Sequence, residues 1–161
     1  MKMDFIRRTW AEIDLDALDY NIKSIKAKMK DGQKVMGIVK ADCYGHGDGF
    51  IARKLDAAGF DWFGVSNIEE GMSLRTEGIT KPILILGYTP VDCANILAEQ
   101  KITQALIGME YCKALQAAAE KAGVVERSTS TEITIKHDDG SKKSYKLTKF
   151  QRSNQSNCYN Q

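Results

Sequence analysis

Lys40 closes the apolar run "KVMGIVK" (34–40), and Asp42, Tyr44 and a Gly45-His46-Gly47 turn follow it. A lysine at the end of a buried strand is costly unless its amine has a partner or a task. Desolvation there favours the neutral amine, which is a nucleophile for an aldehyde. The Gly-His-Gly turn opens a helical stretch, and exposed N–H groups at a helix start favour phosphate. Tyr44 brings a hydroxyl four residues beyond the lysine. An aldehyde that also carries a phosphate and takes a lysine is pyridoxal 5′-phosphate, PLP. On spacing alone the pattern stays open. A strand-end lysine reaching solvent, a packing or capping His46 and a rim Tyr44 also satisfy it.

The elements around Lys40 alternate short apolar runs with amphipathic stretches up to residue 125. "TWAEIDL" (9–15) alternates as a strand does, and Asp16 stands where it would cap the helix "ALDYNIKSIKAKM". Leu18, Ile22 and Ile25 share one face of that helix, with lysines opposite. "KVMGIVK" suits a strand covered on both faces, and the helix after the Gly-rich turn is expected to stop at Gly59. "WFGVS" (62–66), "PILILG" (82–87) and "ITQALIG" (102–108) each precede a further helical stretch. Alternating units imply an α/β fold with a parallel sheet and right-handed crossovers. No G-x-G-x-x-G follows the first strand, so a dinucleotide-binding sheet is unsupported. The favoured fold is a partial (βα) TIM-type parallel barrel of about five units, followed by a short β-hairpin tail. In such a barrel functional residues gather at the C-terminal strand ends, where Lys40 stands.

After Gly123 the rhythm fails. Residues 1–125 hold 16 Lys and Arg against 17 Asp and Glu, whereas residues 126–161 hold 7 against 4 and few aliphatic residues. "STEITIKHDDGSKKSYKLTKF" reads as a hairpin turning at Asp139-Gly140. Its positive charge is a solvated face, not a nucleic-acid groove. No segment approaches the roughly 20 apolar residues of a membrane span, and the N-terminus lacks the apolar core of a secretory signal. Cys43, Cys93, Cys112 and Cys158 form no C-x-x-C pair and no zinc-site spacing with histidine, which implies reduced thiols, no metal and a cytoplasmic address.

"RTWAEIDLDALDYNI", "VMGIVKADCYGHG" and "FGVSNIEEGMSLRTEGITKPILILGYTP" resemble, in order, the N-terminal region of bacterial alanine racemases, reaching to about residue 123. These are fold-type III PLP enzymes with the motif V-K-A-[DN]-A-Y-G-H-G, where Cys43 here replaces the second alanine. The resemblance implies that Lys40 bonds to the PLP aldehyde and acts as one of two acid/base groups at the substrate α-carbon. It implies that Tyr44 contacts the cofactor phosphate and that Leu86 lines the PLP pocket. The implied reaction converts L-alanine to D-alanine for peptidoglycan precursors, with serine as an alternative substrate. It further implies a homodimer whose partner subunit supplies the opposite-face tyrosine from a second, β-rich domain. An arginine facing the pyridine nitrogen and further phosphate ligands are also implied, and none of these lies in the 161 residues.

Past "AAAEKAG" the family continues into a strand and a "D-T-G-M-x-R-x-G" segment, with which "IKHDDGSKKS" shares little. "ITIKHDDGSKKSYKLTKFQRSNQSNCYNQ" instead resembles a short piece of the bacterial RNA polymerase β subunit, Asn157 departing from a family threonine. The two resemblances together imply a chimeric chain. Residues 1–125 would be a truncated racemase barrel and residues 126–161 a polymerase-like tail without polymerase activity. The competing expectations are a weakly active or inactive racemase piece, a non-catalytic PLP-binding barrel and a non-functional fragment.

Overall fold

The computed structural model describes residues 9–129, 132–136 and 142–146. They fall into two compact units, divided between Leu84 and Ile85. Strands β1 (Met36–Ile38), β2 (Trp62–Val65), β3 (Ile83–Ile85) and β4 (Ile102–Gln104) form one sheet in the order β1-β2-β3-β4. The first pair runs parallel, in the register Met36↔Trp62, Gly37↔Phe63, Ile38↔Gly64. Strands laid down in chain order with a helix between neighbours are the wall of a partial TIM-type barrel. The expected fold class is present, with four strands instead of about five.

The strand expected over residues 9–15 does not form. Residues 9–14 have no regular structure, and helix α1 (Leu15–Lys26) begins where the strand was expected to end. The alternation was real, but a strand needs a neighbour to take its backbone groups. Here Asp14 turns its carboxylate onto the amides of Asp16 and Ala17 at 2.9 Å each. Asp14 is therefore the N-cap, and Asp16 sits inside the first turn, where its charge suits the helix dipole. Ile22 is buried as its spacing required, but Ile25 is half exposed.

In the first unit β1 is followed by a helical turn α2 (Lys40–Gly45), then α3 (Asp48–Ala57), β2 and α4 (Ile68–Thr76). Its core is Val39, Ile51, Phe63, Val65, Leu74 and Ile79. Gly37 lets α3 approach β1, since a Cβ there would lie 2.8 Å from the Leu55 Cδ1. The expectation that β1 is covered on both faces fails at Ile38, which is 38% exposed. Helix α3 stops as expected at Gly59. That residue takes φ +79°, and the amide of Phe60 turns back to the Leu55 carbonyl at 3.1 Å.

In the second unit a 3-10 turn (Val91–Cys93) runs into α5 (Ala94–Glu99), and β4 is followed by α6 (Met109–Lys121). Ile85, Leu97, Ile102 and Ala119 are buried, and the Tyr111 hydroxyl donates to the Thr89 carbonyl at 2.8 Å. From Val125 the chain becomes an antiparallel sheet of β5 (Val125–Thr129), β6 (Glu132–Lys136) and β7 (Lys142–Lys146). Strands β6 and β7 are the expected hairpin, paired from Glu132↔Lys146 to Lys136↔Lys142. Its Asp139-Gly140 turn lies outside the described residues. Strand β5, which was not expected, adds a third member through a bulge between Val125 and Arg127.

Candidate active site at the Lys40 turn

The sheet ladder ends just before Lys40. The Val39 amide donates to the Gly64 carbonyl of β2 at 2.9 Å, and Lys40 is the first residue beyond that bond. Its side chain is half-buried, and its amine has no hydrogen bond or ion pair among the described residues. The C-terminal end of a strand is where a parallel barrel places its chemistry.

The chain then does something its residue types do not favour. Ala41, Asp42, Cys43 and Tyr44 take φ of 53°, 53°, 50° and 57°, a full turn of left-handed helix without a glycine. Left-handed helical conformation costs an L-residue roughly 1–2 kcal/mol, so the surroundings must hold the turn. The Cys43 amide donates to the Val39 carbonyl at 3.0 Å and the Gly47 amide to the Asp42 carbonyl at 3.0 Å. The Asp48 amide donates to Asp42 Oδ1 and the Ala41 amide to Glu70 Oε1, both at 2.9 Å. Gly45 and Gly47, at φ +83° and +89°, carry the chain out of the turn into α3. His46 is a local brace, its Nδ1 lying 2.9 Å from the Cys43 carbonyl oxygen.

The start of α3 does not offer the phosphate site expected from the Gly-His-Gly turn. The Asp48 amide is taken by the Asp42 carboxylate and the Gly49 amide by the Asp48 carboxylate, at 2.9 and 2.7 Å. Two carboxylates at a helix start repel a phosphate instead of receiving it. Both were visible as Asp42 and Asp48, six residues apart.

Tyr44 shares the turn with Lys40 and is exposed. With Asp14, Leu18, Asn21, His46 and Ile51 it lines an open groove of about 500 Å³. Leu86, in the second unit, is the residue after β3 and is exposed. Burial first, then the neighbouring Asp42 and Asp48 carboxylates, push the Cys43 thiol above its ordinary 9.0, so it stays protonated at neutral pH. Sequence reasoning missed Glu70. Asn67 followed by Glu70 has capping-box spacing, which signals a helix start but not a bond to Ala41.

A family model described as "Alanine racemase, N-terminal domain" matches residues 13–144. An alanine racemase of Desulfovibrio desulfuricans is 40% identical over 138 residues, covering 86% of this chain and 36% of that protein. Alanine racemase 1 of Caldanaerobacter subterraneus subsp. tengcongensis is 36% identical over 140 residues, covering 87% of this chain and 35% of that protein. Among solved structures, alanine racemase of Clostridium difficile 630 superposes with a TM-score of 0.69 at 38% identity, over 74% of this chain and 32% of that one. A histidine racemase from Leuconostoc mesenteroides subsp. sake gives a TM-score of 0.62 at 30% identity, over 76% and 30% of the two chains. The chain spans about a third of the length of these relatives.

Proposed function

We propose, for a chain that belongs to the alanine racemase N-terminal domain family, that Lys40 binds PLP covalently and carries one side of an amino-acid racemisation. The observation that supports this is half-buried Lys40, its amine without a partner among the described residues, just past the C-terminal end of β1. The donor set fits the cofactor at two points: an amine for the aldehyde and, on the same turn, the Tyr44 hydroxyl for the phosphate. The carboxylate-capped start of α3 does not fit the phosphate and is left out of the binding scheme. Leu86 would line the ring pocket. Bound PLP supplies an electron sink for the charge left when the α-proton departs.

In this reading the Lys40 amine removes or returns a proton on one face of the substrate α-carbon. Inversion needs a second acid/base group on the other face, and a single lysine cannot serve both. That group would come from the partner subunit of a homodimer. Alanine is the substrate we favour and serine the alternative, with a cytoplasmic setting. The histidine racemase relative supports leaving substrate choice to residues beyond this part of the fold. We also keep as a proposal that the racemase-derived part ends near residue 125. A separate antiparallel sheet begins there, although the family match runs on to residue 144.

Purified chain incubated with PLP, reduced with borohydride and digested tests the cofactor reading. Phosphopyridoxyl label is expected on Lys40 and is expected to vanish in Lys40→Ala. Label scattered over surface lysines, or none, overturns it. Turnover of L-alanine to D-alanine is measured separately. Label on Lys40 without turnover leaves the chain a PLP-binding barrel piece.

A further inference from the structure

We propose that Glu70 is the positioning residue for Lys40. Its carboxylate ties the first amide of the left-handed turn to the start of α4 and so fixes the direction in which Lys40 leaves the sheet. The inference rests on the cofactor role of Lys40 proposed above.

The two carboxylate oxygens of Glu70 do different work. Oε2 accepts at 2.7 Å from the amide of Ser66, the residue just before the Asn67 cap of the same helix. Helix α4 is also capped by Asn67, whose Oδ1 accepts from the Glu70 amide at 2.9 Å. Nothing in α4 requires Oε1, which instead accepts from the Ala41 amide at 2.9 Å. Ala41 follows Lys40 directly and is the first left-handed residue. On the other side of Lys40, the Val39 amide is fixed to Gly64 of β2. Lys40 is thus held between two anchors, both on the β2–α4 unit. Releasing the Ala41 anchor lets a disfavoured turn relax toward right-handed geometry, which re-aims the lysine.

The arrangement needs a carboxylate. Two N–H donors face two acceptor oxygens, and glutamine presents an oxygen to only one while its NH₂ opposes the other. Glu70→Gln is therefore expected to act as a disruption and not as a conservative change.

The test uses the full chain as wild type, Glu70→Gln and Asn67→Ala. The last removes the α4 cap without touching Ala41. Exchange of the Ala41 amide by NMR and the rate of borohydride-trapped PLP labelling at Lys40, relative to surface lysines, are compared. Losing a hydrogen bond to a charged acceptor predicts about tenfold faster Ala41 exchange and about tenfold slower selective labelling in Glu70→Gln. Asn67→Ala is expected to lower the melting temperature at least as much while leaving both readouts near wild type. Wild-type Ala41 exchange in Glu70→Gln overturns the proposal, and so does fast exchange with unchanged Lys40 labelling. If the wild type shows no selective Lys40 label, the cofactor reading falls, and the exchange comparison still judges the Glu70 clamp by itself.

Discussion

Cys43 sits inside the left-handed turn, partly buried, with Asp42 beside it and Asp48 near it. Burial and both carboxylates oppose a thiolate, so the folded thiol holds its proton more tightly than the unfolded one. Its contribution to stability is fully present below the ordinary thiol pKa and is lost as pH rises through the raised folded value. Iodoacetamide at pH 8 is therefore expected to alkylate Cys43 more slowly in the native chain than after denaturation, as read by peptide mass spectrometry. Equal rates would show that the turn does not shield the thiol. At this scale the place of Lys40, just past the end of a strand, was legible from the apolar run that it closes. The handedness of the next four residues was not. Alanine, aspartate, cysteine and tyrosine have no left-handed preference, and the bond that helps hold them comes from Glu70, twenty-nine residues beyond Ala41.

Element boundaries show the same division between local and distant causes. The stop of α3 at Gly59 and the pairing of β6 with β7 follow from residues inside those segments, and both were readable. The strand expected over 9–15 depended on a neighbour that local alternation cannot supply. With no ladder to join, Asp14 became the cap, two residues before Asp16. This gives a sharp comparison. Asp14 accepts two amide bonds, so Asp14→Ala is expected to destabilise by about 1 kcal/mol. Asp16 offers only a favourable charge near the dipole, so Asp16→Ala is expected to cost about 0.3–0.5 kcal/mol. Urea midpoints of the two variants decide the matter, and a larger loss in Asp16→Ala would mean that the cap is misplaced.

At the scale of the whole molecule, several large apolar side chains among the described residues are left exposed. The first unit leaves Ile38 and Phe50 in solvent, and the second leaves Leu86, Leu106, Ile107 and Met109. Each side chain would ordinarily be an unremarkable surface residue, but Leu106, Ile107 and Met109 fall within four positions, from the loop after β4 to the first residue of α6. Apolar residues clustered this way mark a surface that gains by being covered. Among the described residues no helix is long and apolar enough to cross a membrane. Ile38 ends β1, Leu86 follows β3, Leu106 and Ile107 lie in the loop after β4, and Phe50 and Met109 lie in the first turns of α3 and α6. The chain is therefore expected to associate with itself as its concentration rises and to bind the dye ANS in its folded state. Sedimentation across a concentration series should show species heavier than one chain. Ile107→Lys, which places a charge in the cluster, should shift that series toward the monomer without lowering the melting temperature, because Ile107 is 56% exposed and contributes little to the core. A wild-type chain that stays monomeric and silent to the dye would mean that these side chains cover one another in solution. A variant that still associates would place the contact elsewhere on the surface.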